Sequence, residues 1–452
     1  MRKLRAILIC LSLLTLMSAC ARYFDRGAVS ITRLGPPVRV SPEQSDAAEP
    51  VVAAASDGTA YIAWVEHRPR KEADLLVARL DREANSVGPP VRVNPRGGEA
   101  TAWRGDPPTL AVAPDGALYV GWTAREASEG HATTLYLSAS RDGGQTFAPP
   151  VKVNDDEQPG VHGMHSLAVA RDGRIHLAWL DERNLGQAEA PGASPEGQKK
   201  MEQMERNREV FTAYSADGGR SFSRNRRVAA EACPCCKTAV AVSGDGRVYL
   251  AWRQVLPGEY RHIAVSSSGD GGETFSAPKI VSDDQWVIAG CPVSGPALSV
   301  AGDGTLGVMW YTAGERGTPG LYWAQSKDGG ESFSESRLFA PGQAFGTPLL
   351  LAHRGENNLV VWANYEGGAQ HVMAAPLLAA DRTGTPVVAN AELPSAATSG
   401  DQIFIGFIIN ADDRRAIWVL RAKPPMMAQG AGAAHALSAS EGFPVDSIAS
   451  RR

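Results

Sequence analysis

One pattern of apolar and polar positions keeps returning along the chain: a short apolar run, an Asp-Gly pair, then a second apolar run ending in Trp. It reads Val51–Asp57-Gly58–Trp64, Leu110–Asp115-Gly116–Trp122, Leu167–Asp172-Gly173–Trp179, Val240–Asp245-Gly246–Trp252 and Leu298–Asp303-Gly304–Trp310. Weaker copies follow at Leu349–Gly355–Trp362 and Phe404–Asp412–Trp418. Short apolar runs bounded by turn residues predict strands, and Asp-Gly between two of them predicts a hairpin. Seven hairpins at near-regular spacing predict one unit repeated radially, not several unrelated domains.

A second motif follows four of the hairpins. It runs Ser140-Arg-Asp142-Gly143-Gly144-Gln-Thr146-Phe147 and recurs at Ser215–Phe222, Ser268–Phe275 and Ser326–Phe333. The Asp accepts from nearby backbone N–H groups, Gly-Gly supplies positive φ, and the Phe can pack beneath the loop. The motif resembles the Asp box, or BNR repeat, of bacterial sialidase-like β-propellers. That resemblance implies an all-β fold of four-stranded blades, with Asp142, Asp217, Asp270 and Asp328 as structural turn residues. Strands A and B of each unit are then joined by the Asp-Gly turn, and C and D by the Asp box. The first unit has a degenerate C–D turn, Asp81–Val87, and the last lacks C and D strands of its own. Gly35–Pro42 nearly repeats the D strand Gly88–Pro95, so an N-terminal strand is expected to close the last blade. Seven blades are the expectation; six, the number typical of sialidases, is the alternative.

The N-terminus carries a targeting pattern. Met1–Arg5 is basic, Ala6–Leu16 is apolar, and Met17-Ser-Ala-Cys20 resembles a bacterial lipobox. The resemblance implies a lipoprotein signal peptide over 1–19, lipidation of Cys20 and a lipidated linker over 20–33. The expected partner is a membrane, and the expected location is the cell envelope. With Ala21 after Cys20 and no Asp there, the outer membrane is favoured. The propeller would span 34–423 with an insertion at 185–209, loop-like and then helix-prone at Gln198–Arg206; a disordered tail covers 424–452. The net charge of −4 and the absence of a basic run argue against a nucleic-acid partner.

Strand order places the Asp-Gly turns and Asp boxes on one face, and the B–C and D–A loops on the other. The D–A loops enter the innermost strands and ring the axis. They hold the unusual residues: His162 and His165 entering the third unit, Cys233, Cys235 and Cys236 entering the fourth, and Cys291 entering the fifth. Three readings of the cysteines stay open: disulfides, a metal site and a redox thiol pair. Thiolates with imidazoles favour copper or zinc as the metal. Cys233-Pro-Cys235-Cys236 with Gly290–Pro296 also resembles a subgroup of bacterial envelope proteins labelled sialidase-like.

The sialidase resemblance implies three arginines clamping a carboxylate, a Tyr nucleophile activated by Glu, and an Asp acid/base. The family's first arginine enters the first blade, where this chain reads Asp46-Ala-Ala-Glu-Pro-Val51. Candidates elsewhere on the loop face are Arg68, Arg104, Asp106, Arg125, Glu182, Arg183, Arg253 and Tyr311. The expected function is a non-catalytic envelope protein that binds a glycan or a soft metal. The alternatives are an exo-α-sialidase or other glycoside hydrolase acting on anionic glycans, and a scaffold for protein partners.

Overall fold

The computed structural model describes residues 33–423, apart from 70–71, 82–85, 102–105, 126–131, 186–206, 289, 291, 353–357, 379–385 and 412–413. The signal peptide, Cys20, the helix-prone part of the insertion and the tail therefore lie outside the described residues, as do Trp103, Arg104, Glu126 and Cys291. The described chain is all-β. No helix among the described residues is long and apolar enough to cross a membrane.

The first unit is β3 (Asp46–Ala54), β4 (Ala60–His67), β5 (Ala73–Leu80) and β6 (Val91–Arg92), in antiparallel order; β1 (Arg33–Leu34) and β2 (Val38–Arg39) precede it. The second is β7 (Ala100–Thr101) and β8 (Thr109–Val112), both on β9 (Leu118–Arg125), then β10 (Thr133–Ser140) and β11 (Val151–Lys152). The third holds β12 (His162–Val169), β13 (Ile175–Asp181), β14 (Arg208–Ser215) and β15 (Arg226–Ala232). The fourth holds β16 (Ala239–Val242), β17 (Val248–Leu256), β18 (Tyr260–Ser268) and β19 (Lys279–Ile280). These two units share one eight-stranded sheet, because Ala232 of β15 pairs with Gln254 of β17. The fifth is β20 (Ala297–Val300), β21 (Leu306–Thr312), β22 (Gly320–Ser326) and β23 (Arg337–Pro341). The sixth is β24 (Gln343–Leu351), β25 (Leu359–Glu366) and β26 (Ala369–Pro376). The last is β27 (Glu392–Ser399), β28 (Gln402–Ala411) and β29 (Arg414–Lys423).

Among the described residues no sheet closes on itself. Neighbouring units instead meet face to face, which follows from the period of two in a strand. In β4, Ala60, Ile62 and Trp64 pack toward the last unit, while Tyr61, Ala63 and Val65 pack toward the second. Both faces of the middle strands are thus buried, so these strands read as continuous apolar runs. Apolar clusters of this kind lie between each consecutive pair of units and between the last and the first. The leading strands touch in the same cyclic order: β3, β8, β12, β16, β20, β24, β27 and back to β3. Trp64, Trp122, Trp179, Trp252, Trp310 and Trp362 each fill the cleft against the preceding unit.

The turns form as their residues dictate. The carboxylate of Asp57 accepts from Thr59 N–H at 2.8 Å, and Gly58 adopts φ 89°. In the third Asp box, Asp270 accepts from Ser268 Oγ at 2.7 Å, Glu273 N–H at 3.0 Å and Thr274 N–H at 2.9 Å. Those donors hold the Asp270 carboxyl below its usual range, with the Thr274 hydroxyl the largest cause. Phe147, Phe222, Phe275 and Phe333 pack against the inter-unit clusters beneath their loops.

The last unit corrects the sequence reading. Phe404–Trp418 is not its A–B hairpin but the β28–β29 pair, with Phe407 opposite Trp418. The A–B turn is Ser399-Gly400-Asp401, where Gly400 has φ 57°. Phe407 takes the place that Trp holds in the other units. The unit therefore has a C strand, β29, and β2 supplies the strand beyond it, with Val38 opposite Val419. At the insertion, Arg208 and Glu209 already belong to β14.

Candidate functional site

Chain entry into the fourth unit builds a sulfur cluster. After β15 the chain turns, with Cys233 N–H donating to Arg253 O at 2.8 Å, and β16 begins at Ala239. The turn places the sulfurs of Cys233, Cys235 and Cys236 within 4.8 Å of one another, all buried. Cys233 and Cys236 are free thiols, whereas Cys235 is disulfide-bonded. The disulfide partner of Cys235 is therefore neither of its neighbours in the motif. Cys233 and Cys235 sulfurs stand 4.0 Å apart.

Two arginines enclose this cluster. Arg261, at the start of β18, donates Nη1–H to Cys233 Sγ at 3.0 Å. Arg253, within β17, is only 1% exposed. It donates from Nε and Nη2 to Ser294 O at 3.2 and 2.9 Å, from Nη2 also to Tyr311 O at 2.9 Å, and lies over the Trp286 ring at 4.8 Å. Its Nη1 has no hydrogen-bond partner among the described residues. The Cys233 thiol is pulled down to about 6, first by the hydrogen bond from Cys236 and then by the charges of Arg253 and Arg261. Burial pushes the Cys236 thiol up. The pair thus favours one thiolate beside one neutral thiol.

The histidines stand apart from the sulfurs and belong to polar ties between units. His165 Nδ1 lies 3.1 Å from Asp106 Oδ1, and Thr123 Oγ1 donates to Asp106 Oδ2 at 3.3 Å. Lys237, at the fourth-unit entry, donates Nζ–H to Pro107 O at 3.2 Å. It is half-buried by surface but ringed by protein, and loss of hydration pulls its ammonium down to about 8 against the favourable charge of Asp106. His162 shares its Nε2 with Asp156 at 3.1 Å and Asp181 at 3.6 Å, and those carboxylates hold its proton on against burial.

Most of the described glycosidase candidates are engaged internally. Arg68 pairs with the buried Asp74. Arg183 binds Asp181 at 2.8 Å and Asp155 at 2.7 Å and stacks on Phe211. Glu182 pairs with Arg208 at 2.6 Å. Arg125 is exposed at the end of β9. Tyr311 meets Trp286 edge-on at 5.7 Å, and burial pushes its phenol up, the opposite of an activated nucleophile. A Tyr–Glu hydrogen bond does occur, between Tyr214 and Glu273, but at the Asp-box end of the units, with Arg226 on Glu273 at 2.8 Å. Sequence reasoning missed Arg261, Lys237, Tyr214 and Arg415, the last paired with Asp46 at 2.7 Å. None of them sits in a motif; each is placed by a partner from another strand or unit.

Comparison with solved structures gives two folds at a TM-score of 0.51. One is polysaccharide lyase Uly1, 12% identical over 81% of this chain and 88% of that one. The other is an ulvan lyase solved with a bound saccharide, 11% identical over 86% and 94% of the two chains. A Hadza microbial sialidase follows at 16% identity, covering 80% and 76%, with a TM-score of 0.45. At these identities the likeness concerns the fold alone. No curated protein matches the chain significantly. The BNR repeat-like domain model matches residues 58–358, a span that includes all four Asp boxes, and the chain belongs to that sialidase-like BNR family.

Proposed function

We propose that this chain is a seven-bladed β-propeller, lipid-anchored in the bacterial envelope through Cys20, that binds a ligand on its entry-loop face and does not cleave glycosidic bonds. Seven blades are supported by the cyclic order of the inter-unit clusters and of the leading-strand contacts. The anchor is supported by the basic start, apolar run and Cys20 of the N-terminus.

The observation that carries the non-hydrolytic reading is the engagement of the cations. A carboxylate clamp needs guanidinium forks free to converge on one anion. Arg68 and Arg183 are instead neutralised by acids of this chain, and Arg253 is held by main-chain carbonyls. Among ligands, the two free thiols favour a soft metal over a sugar. A glycan is the second reading, favoured by a shallow cavity lined by Pro95, Arg96, Glu99, Trp122, Tyr136 and Pro150. Fluorogenic sialosides test the main reading: no turnover is expected. Turnover that disappears in Tyr311→Phe would overturn it and restore the hydrolase.

A further inference from the structure

We infer that Cys233 and Cys236 form a two-coordinate Cu(I) site with Arg261 and Arg253 as its built-in counter-charge. The inference rests on the reading of the entry-loop face as a ligand-binding face, and it names the ligand.

Spacing is the first argument. Metal–thiolate bonds of about 2.3 Å in line set two sulfurs about 4.6 Å apart. The sulfurs of this cluster lie within 4.8 Å of one another, a bound that admits such a span. Availability is the second. Cys235 is oxidised, leaving two thiols, and no His, Asp or Glu joins the cluster among the described residues. A structural zinc site takes four ligands, and two thiols leave half of them unfilled. Cu(I) is a soft ion suited to thiolates.

Charge is the third argument, and it separates the metals most sharply. Counted from two neutral thiols, one Cu(I) gives a bis-thiolate of net charge −1 and releases two protons to solvent (one where Cys233 is already the thiolate), with no change of oxidation state. Burying that anion is costly unless a cation sits against it. Arg261 already donates to Cys233 Sγ at 3.0 Å. Arg253 is buried against the same loop, its carbonyl oxygen accepting from Cys233 N–H at 2.8 Å, and its Nη1 is buried with no hydrogen-bond partner among the described residues. A divalent ion on the same two thiolates would be neutral and would gain little from either guanidinium. The sulfurs are also too deep for a protein disulfide to reach, which separates this site from an exposed dithiol reductant.

The test uses residues 21–452, which leave out the expected lipidation site Cys20, with the disulfide intact. Free thiols are counted first, then Cu(I), supplied as such without oxygen, is titrated against a chromophoric Cu(I) chelator, with Zn(II) titrated in parallel. The expected result is one Cu(I) per chain, copper–sulfur scattering from two sulfurs by X-ray absorption, and no stoichiometric zinc. Cys233→Ser and Cys236→Ser should each abolish retention. Arg261→Gln, which keeps both thiols, should weaken it about 10- to 100-fold, the loss of one charge-assisted hydrogen bond. Near-ultraviolet circular dichroism checks that each variant folds. No copper on a folded chain with two free thiols overturns the inference, as does equal retention in Arg261→Gln. So does a thiol count of zero. Sialoside hydrolysis measured on the same sample keeps the two failures apart: turnover refutes the binding reading, whereas no copper and no turnover refutes only the copper site.

Discussion

Replacing Asp106 by Asn keeps the side chain's shape and removes its charge. In the native chain Oδ1 faces the His165 ring at 3.1 Å and the His165 N–H at 3.4 Å, while Oδ2 accepts from Thr123 at 3.3 Å. An amide can keep its carbonyl toward His165 and turn its NH2 to Thr123, so the hydrogen-bond count barely changes. The charge assistance goes, at about 1 kcal/mol. Lys237 then keeps its ammonium at the Pro107 carbonyl with Asp106 no longer charged, adding about 1–2 kcal/mol after allowance for its contact with solvent. The expected loss is about 2–3 kcal/mol at pH 7, read by urea unfolding followed through Trp fluorescence. Burial pushes the Asp106 carboxyl up, but the His165 hydrogen bond, His165 and Lys237 outweigh it and leave the group below 3.8. A folded pKa below the unfolded one means that the contribution is complete above about pH 4 and is lost as pH falls through the folded value. The gap between the two proteins should therefore close under acid. A loss under about 0.5 kcal/mol, within the usual range for surface changes, or a gap that ignores pH, would refute this account.

Three further predictions concern other parts of the fold. Burial pushes His176 down from 6.5 to about 4, so over that interval the unfolded chain binds a proton that the folded chain does not. Stability should climb across it by about 3 kcal/mol, and His176→Phe should flatten the climb in the same urea assay; an unchanged slope counts against the assignment. A Cβ on Gly295 would stand 2.1 Å from the Lys237 carbonyl oxygen, so Gly295→Ala should cost about 3 kcal/mol or lose soluble protein; a melting temperature equal to wild type would contradict the packing. Peptide mapping without reduction should join Cys235 to Cys291, since Cys233 and Cys236 are free, Cys10 lies in the expected signal peptide and Cys20 is the expected lipidation site; a Cys233–Cys236 bridge would be the contrary result.

What could be read from the sequence was chemistry between near neighbours. An Asp-Gly turn or an Asp box satisfies its own backbone within a few residues, so its meaning survives without the fold. The Trp positions were legible because the six copies face the same kind of cleft. The last unit misled because its turn is Ser399-Gly400-Asp401 and Phe407 replaces Trp, leaving Trp418 to mimic the pattern one strand late. The site was harder for the same physical reason. That Cys233 meets Arg261 depends on the pairing of β17 with β18, and that Asp106 meets His165 depends on two units docking. An arginine in the sequence carries no sign of whether it will face a ligand or, like Arg183, an acid of its own chain.

The pairing of β2 with β29 has a consequence in time rather than in energy. Val38 waits for Val419, so nearly the whole chain must be made before the first described strands find their partner. Loop entropy grows only as the logarithm of length, so the closure is cheap once it forms. Between its synthesis and the docking of β2, β29 presents an unpaired edge, the kind of edge that recruits the same strand from another molecule. Emergence of β29 is thus the moment at which the molecule is most exposed to exchange with its neighbours. Slow docking of β2 would be felt first as strand-swapped dimers, with every other sheet intact.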